Sequence, residues 1–203
     1  MSQAFIGDEQ REALQEITNI GMGQAGASIA QVLGEFVRLS VPQISLLPAA
    51  GIPAALAALA GAGVASAVRQ AFIGELRGEA ITIFSEHSAT DLAELLCYDD
   101  VLDGPASREL LLDISNVLVG ACLGGIAGLL QTEIGFSAPS LLAYERPVGE
   151  LLPAGTIAPS CALLVEVRFG LEKRVFRCHL VMLLPDDAIA ALRQALDRFI
   201  EAL

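Results

Sequence analysis

The chain contains two asparagines and no others, and they occupy matching places in two stretches that read as copies of one another. Asn19 closes Glu16-Ile17-Thr18-Asn19, Asn116 closes Asp113-Ile114-Ser115-Asn116, and each is followed 23 positions later by a proline, Pro42 and Pro139. A chain built from two such copies is constrained to fold as related halves, because an element that one half must bury the other must bury too. Residues three apart share one face of a helix, so each copy would present a carboxylate and a carboxamide side by side. A carboxylate can hold a cation. A neutral amide both donates and accepts hydrogen bonds, and so can orient a water without competing as a base.

The first copy predicts a helix capped at or near Asp8, with Leu14, Ile17, Ile20 or Gly21, Ala25, Ile29 and Val32 on its apolar side and Glu12, Glu16 and Asn19 on the other. Gly21, Gly23 and Gly26 each cost such a helix ~1 kcal/mol relative to Ala, which points to close backbone packing. Gly21-Met22-Gly23-x-x-Gly26 imitates G-x-G-x-x-G, but it follows a helix rather than a strand, so packing is the better reading. A strand over Phe36–Leu47, a short Ala-rich helix, strands over Val64–Leu76 and Glu79–Phe84, and a helix over Ser88–Leu96 follow. The second copy repeats that order. Asp103-Gly104-Pro105 supplies a cap and an early proline for a helix over about Ala106–Leu130, which carries Glu109, Asp113 and Asn116 at the spacing of Glu12, Glu16 and Asn19. Strands over Gly135–Tyr144, Ala162–Gly170 and Val175–Leu184, with a short helical piece at Val148–Leu152 and a turn at Glu172-Lys173, lead to a last helix over Pro185–Leu203. Neither half could cover its own sheet. The expected architecture is therefore α+β: pseudo-twofold duplicated half-domains, about 8–98 and 103–203, sharing one antiparallel or mixed sheet with the two long motif-bearing helices on one face. Pro42 and Pro139 would start or bend strands, where a missing N–H is cheap.

Composition narrows the function. A formal net charge of -12, with basic residues scattered, leaves little for a phosphate backbone or an anionic membrane surface to grip, so no nucleic acid is expected as a partner. Cys97, Cys122, Cys161 and Cys178 lie far apart, with no C-x-x-C and no His at ligand spacing, as core thiols of a reducing cytoplasm would. His87, His179, Asp99-Asp100 and Asp186-Asp187 read as structural or helix-start residues rather than metal ligands. The first residues show no basic segment before an apolar run, so a secretory signal is not expected. From Leu39 to Val68 no residue is charged, yet Pro42, Pro48 and Pro53 interrupt the stretch and its second half is mostly Ala and Gly, so no membrane span is expected there.

The duplicated motif resembles that of the CheC/CheX/FliY family of bacterial chemotaxis phosphatases: Asp or Ser, three residues, Glu, two residues, Asn, then 22 residues and Pro. Glu12-x3-Glu16-x2-Asn19-x22-Pro42 and Glu109-x3-Asp113-x2-Asn116-x22-Pro139 match it twice, and two such units with a closing helix account for nearly the whole chain. The first position is Glu in both copies rather than Asp or Ser. The second copy has Asp113 where the family has Glu, a carboxylate shorter by one methylene, and misplacement of about an ångström can cost ~100-fold in rate.

The resemblance implies a cytoplasmic two-component signalling enzyme that hydrolyses the aspartyl phosphate of a response-regulator receiver domain, CheY or a relative. Glu16 would pair with the receiver's active-site lysine, Asn19 would hold the attacking water, and Asp113 and Asn116 would form the second site. No cofactor would be bound by this chain, since the expected Mg2+ belongs to the receiver. The alternative is a weakly catalytic or non-catalytic CheC-like adaptor that binds a phosphorylated receiver or a CheD-type deamidase. A flagellar-switch role like that of FliY is least expected, because the extra C-terminal segment it would call for is missing.

Overall fold

The computed structural model describes residues 6–34, 37–60, 63–96, 103–151, 161–171 and 177–202. Helix α1 (Asp8–Leu33) starts after Gly7, whose N–H donates to Gln10 Oε1 at 3.0 Å, with Asp8 and Glu9 in the first turn, where the helix dipole favours negative charge. It stops at Gly34, whose φ of 65° is the left-handed conformation that ends helices and favours glycine. Helix α4 (Gly104–Leu129) is its counterpart. Asp103 caps it by accepting from the Ala106 N–H at 2.8 Å, and Pro105 occupies the first turn, where its missing donor costs nothing.

Eight strands form one sheet, and every pairing described is antiparallel. At its centre β4 (Gly78–Ser85) pairs with β8 (Arg177–Leu184), with Thr82 opposite Leu180 and Ile83 opposite His179. Each is joined as a hairpin to a long outer neighbour, β3 (Val64–Gly74) and β7 (Cys161–Leu171). The edges are exchanged between halves. β1 (Val37–Leu39) and β2 (Gln43–Pro48) of the first half pair with β7, while β5 (Ile134–Phe136) and β6 (Ser140–Pro147) of the second half pair with β3. The single strands expected over Phe36–Leu47 and Gly135–Tyr144 are each split in two. Pro42 and Pro139 stand in the gaps, where a residue without an N–H interrupts the ladder.

Side chains alternate across the sheet. Ala80, Phe84, Cys178, Leu180, Met182 and Leu184 point into a core with α1, α4, α3 (Ser88–Leu95) and α5 (Asp186–Glu201). Ile81, Ile83, Val181 and Leu183 point to the other face, under α2 (Ile52–Ala60) and the 3-10 turn Val148–Glu150. The two long helices therefore share one face, as expected. Residues 39–68 hold strands and the nine-residue α2 rather than a span. Among the described residues α4 alone is long and apolar enough to cross a membrane; here it is a core helix packed on α1 and the sheet. The turn at Glu172-Lys173, together with Asp99-Asp100 and Cys97, lies outside the described residues, and so does the Cys161 side chain.

The glycine reading holds at some positions and fails at others. A Cβ on Gly125 would lie 2.8 Å from Gly21 Cα, and one on Gly21 would lie 3.1 Å from the Cys122 carbonyl oxygen, so α1 and α4 touch backbone to backbone. Gly23, Gly120 and Gly124 meet nothing within 4 Å, so close packing does not explain them. Ile20 (38% exposed) and Val32 (51%) also face outward, because Gly21 rather than Ile20 turns to the partner helix and Val32 lies in the last turn of α1. Cys122 and Cys178 are buried free thiols, both pushed well above the ordinary thiol value by burial, Cys178 further by Cys122.

Gly125→Ala should lower stability by ~1–3 kcal/mol and Tm by several degrees, because the atoms it meets are backbone; Gly23→Ala, on an open helix surface, should gain up to ~1 kcal/mol. Thermal melts of the two variants check both signs. Native protein exposed to a maleimide near neutral pH should leave Cys122 and Cys178 unmodified, as peptide mapping would show. Their raised folded values mean that this contribution is intact below the unfolded thiol value of 9.0 and is lost as pH rises past it.

Candidate functional site

The motif residues lie on the outward faces of α1 and α4. Glu12, Glu16 and Asn19 are exposed, and so are Glu109, Asp113 and Asn116. This follows from the packing: Leu14, Ile17, Thr18, Gly21, Met22 and Ala25 turn inward on α1, and Leu111, Ile114, Ser115, Leu118 and Cys122 do so on α4, which leaves the i, i+3 acid and amide on the far side. Among the described residues, none of the four acids forms an ion pair within the chain. Two carboxylates on the outward face of each helix, with no ion pair among the described residues, can accept a cation from outside.

The two asparagines differ in their surroundings. Among the described residues no hydrogen bond engages the Asn19 side chain. Asn116 Oδ1 accepts from Gln70 Nε2 at 2.8 Å, and the same Nε2 donates to the Ser137 carbonyl at 2.8 Å. Ser137 is fixed in turn: its N–H donates to the Ala71 carbonyl at 3.0 Å, its Oγ accepts from the Ala71 N–H at 3.0 Å, and that hydroxyl donates to the Ala138 carbonyl at 3.0 Å. The loop that ends at Pro139 is thus fastened beside Asn116, which gives the asparagine-to-proline spacing a structural meaning. Behind the asparagines, Ser115 Oγ and Thr82 Oγ1 lie 2.8 Å apart and tie α4 to β4, whereas the matching hydroxyl, Thr18 Oγ1, is buried with no partner. Further along α4, the Arg108 guanidinium lies 4.7 Å from the Tyr144 ring centre, within cation–π range. The Tyr144 hydroxyl is raised mainly by burial and then by Glu145, against a hydrogen bond from Ser107 that lowers it.

Gln70, Ser137 and Tyr144 escape a reading by motif. Gln70 alone left a signal, as an amide at an inward-facing position of the strand that also places Val68 and Phe72 inward, where a polar residue calls for a partner. His87 precedes α3 and is exposed, while His179 lies half-buried on β8. The Gly21-to-Gly26 run is interior to α1, where its N–H groups serve the helix and cannot cradle a phosphate.

Residues 9–46, which contain Glu12, Glu16, Asn19 and Pro42, match the model of the CheC-like family. The whole fold is similar to that of solved chemotaxis proteins. Thermotoga maritima FliY superposes with a TM-score of 0.74 at 18% identity, covering 96% of this chain and 98% of that one. The FliM middle domain from H. pylori gives 0.64 at 11% identity, covering 94% and 99%. A chemotactic CheC-like protein from Shewanella oneidensis gives 0.53 at 11% identity, covering 81% and 95%. The resemblance to the CheC/CheX/FliY family is thereby supported by the family match over the first motif, and the solved structures show the same fold over most of the chain. The α+β architecture is the one these proteins share.

Ser115→Ala should cost ~1–3 kcal/mol, because it leaves the buried Thr82 hydroxyl unpaired; adding Thr82→Val should recover most of that loss, since two apolar partners leave nothing orphaned. Denaturant midpoints of the two single variants and the double variant, arranged as a mutant cycle, check this.

Proposed function

We propose that this protein is a phosphatase of a phosphorylated receiver domain, CheY or a relative, and that it works by inserting an asparagine beside the aspartyl phosphate. The observation that carries the reading is the pairing, on each exposed helix face, of an asparagine with an acid that forms no ion pair among the described residues. Glu16 docks by a charge-assisted contact to the receiver's active-site lysine. Asn19, exposed on the helix face, holds a water in line with the bond to be broken. The water oxygen bonds to phosphorus, the bond from phosphorus to the aspartyl oxygen breaks, the electron pair leaves with the carboxylate, and the water's proton passes to phosphate or solvent. Charge on the phosphoryl oxygens is met by the receiver's own Mg2+ and lysine, so this chain supplies positioning rather than a nucleophile or a cofactor. Asp113 and Asn116 form a second and weaker site, and the place of action is the cytoplasm.

The shorter acid Asp113 favours a second reading for that half: an adaptor surface that binds a phosphorylated receiver, or a CheD-type deamidase, with little turnover. One measurement separates the readings. Decay of a phosphorylated CheY receiver should be accelerated by the wild type, and Asn19→Ala should reduce that acceleration by ~10-fold or more, with Asn116→Ala causing a smaller loss. Equal decay with wild type and Asn19→Ala removes the enzyme reading from the first site. Tight binding selective for the phosphorylated form, without faster decay, establishes the adaptor.

A further inference from the structure

Gln70 is 1% exposed, and its amide orientation is fixed by what surrounds it. The Ser137 carbonyl can only accept, so the atom 2.8 Å from it must be Nε2. The second hydrogen of that NH2 reaches Asn116, also at 2.8 Å, so Asn116 must offer Oδ1 in return. The carboxamide oxygen of Asn116 is therefore turned toward the sheet, and its NH2 is the end left for a ligand. This arrangement carries a cost, because Gln70 Oε1 is buried without a partner. The first half has nothing comparable. β7, the counterpart of β3, contains no asparagine or glutamine, the Asn19 side chain makes no hydrogen bond among the described residues, and the hydroxyl behind it is unpaired while Ser115 is anchored to Thr82.

Phosphoryl oxygens only accept hydrogen bonds, so an outward NH2 complements them. An attacking water turns a lone pair to phosphorus and its hydrogens away, so the group that steers it must accept. Resting on the phosphatase reading above, we propose that Gln70 is a positioning residue that locks Asn116 with its donors outward. The second site then grips an acyl-phosphate oxygen, while the first site, whose asparagine has no side-chain hydrogen bond among the described residues, directs the water. The division of labour between the halves is set by a buried glutamine as well as by the shortened acid.

Because the chain has two asparagines, labelling it with 15N-asparagine gives two side-chain NH2 signal pairs, and Asn116→Ala identifies one by removing it. The Asn116 pair should be the more rigid, and Gln70→Leu should shift it and raise its mobility while leaving the Asn19 pair in place. If the variant does not fold, Gln70→Met serves instead. With a receiver phosphorylated by acetyl phosphate, Asn19→Ala/Gln70→Leu should speed decay about threefold over Asn19→Ala alone, since freeing the second amide lets its oxygen turn outward. With the receiver carrying beryllofluoride, Asn116→Ala should weaken binding about tenfold, the loss of one charge-assisted hydrogen bond. An Asn116 pair that stays put in both Gln70 variants, or a double variant slower than Asn19→Ala, overturns the proposal. If the Asn116 pair shifts but wild type leaves decay unchanged, the phosphatase reading falls, and the hold-against-hydrolyse assignment falls with it. In that case the clamp alone survives.

Discussion

The backbone contact of α1 and α4 at Gly21 and Gly125 is the constraint on which the remaining geometry depends. Two helices that approach this closely cannot rotate about their own axes without driving side chains into main chain, so the direction each face presents is set at the crossing. Inward of it lie Met22 and Cys122, whose sulfurs are 3.2 Å apart, and outward lie the acid and amide pairs. The crossing thus fixes the direction in which each acid and amide pair faces.

The sheet supplies the second constraint. Because β4 and β8 pair at the centre, each hairpin is left with an open outer edge, and an open edge is a liability unless something covers it. The cover comes from the opposite half in both cases. One result is that Asn116, carried by the second half, meets Gln70 on a strand of the first. The second site is thus composite, and neither half contains all of it.

The helices, hairpins and twofold plan were legible because they rest on local signals: the cap at Asp103, alternation along β4, and the 97-residue offset between Asn19 and Asn116. The exchange of edge strands was not legible. Strand partners far apart in sequence are chosen by which edges remain open after the centre has formed, and periodicity does not report that. The splits at Pro42 and Pro139 could have been read from the missing N–H alone. The exposed acids and asparagines lay where the spacing put them, but the unequal setting of the two amides was hidden, since it hangs on one buried glutamine in another element. Gly23, Gly120 and Gly124 show the converse, as a Cβ on any of them would meet nothing within 4 Å and nothing in their surroundings explains the absence of a side chain.

The exchanged edges also make this chain equivalent to a dimer whose subunits have been spliced end to end. Two separate copies of one half could complete each other in the same manner, but every substitution would then appear at both motif-bearing faces at once. Splicing releases that symmetry: Asp113 can shorten, and an amide can enter β3, with no matching change imposed on Glu16 or β7. The paired but unequal asparagines are what a duplicated gene can explore and a homodimer cannot.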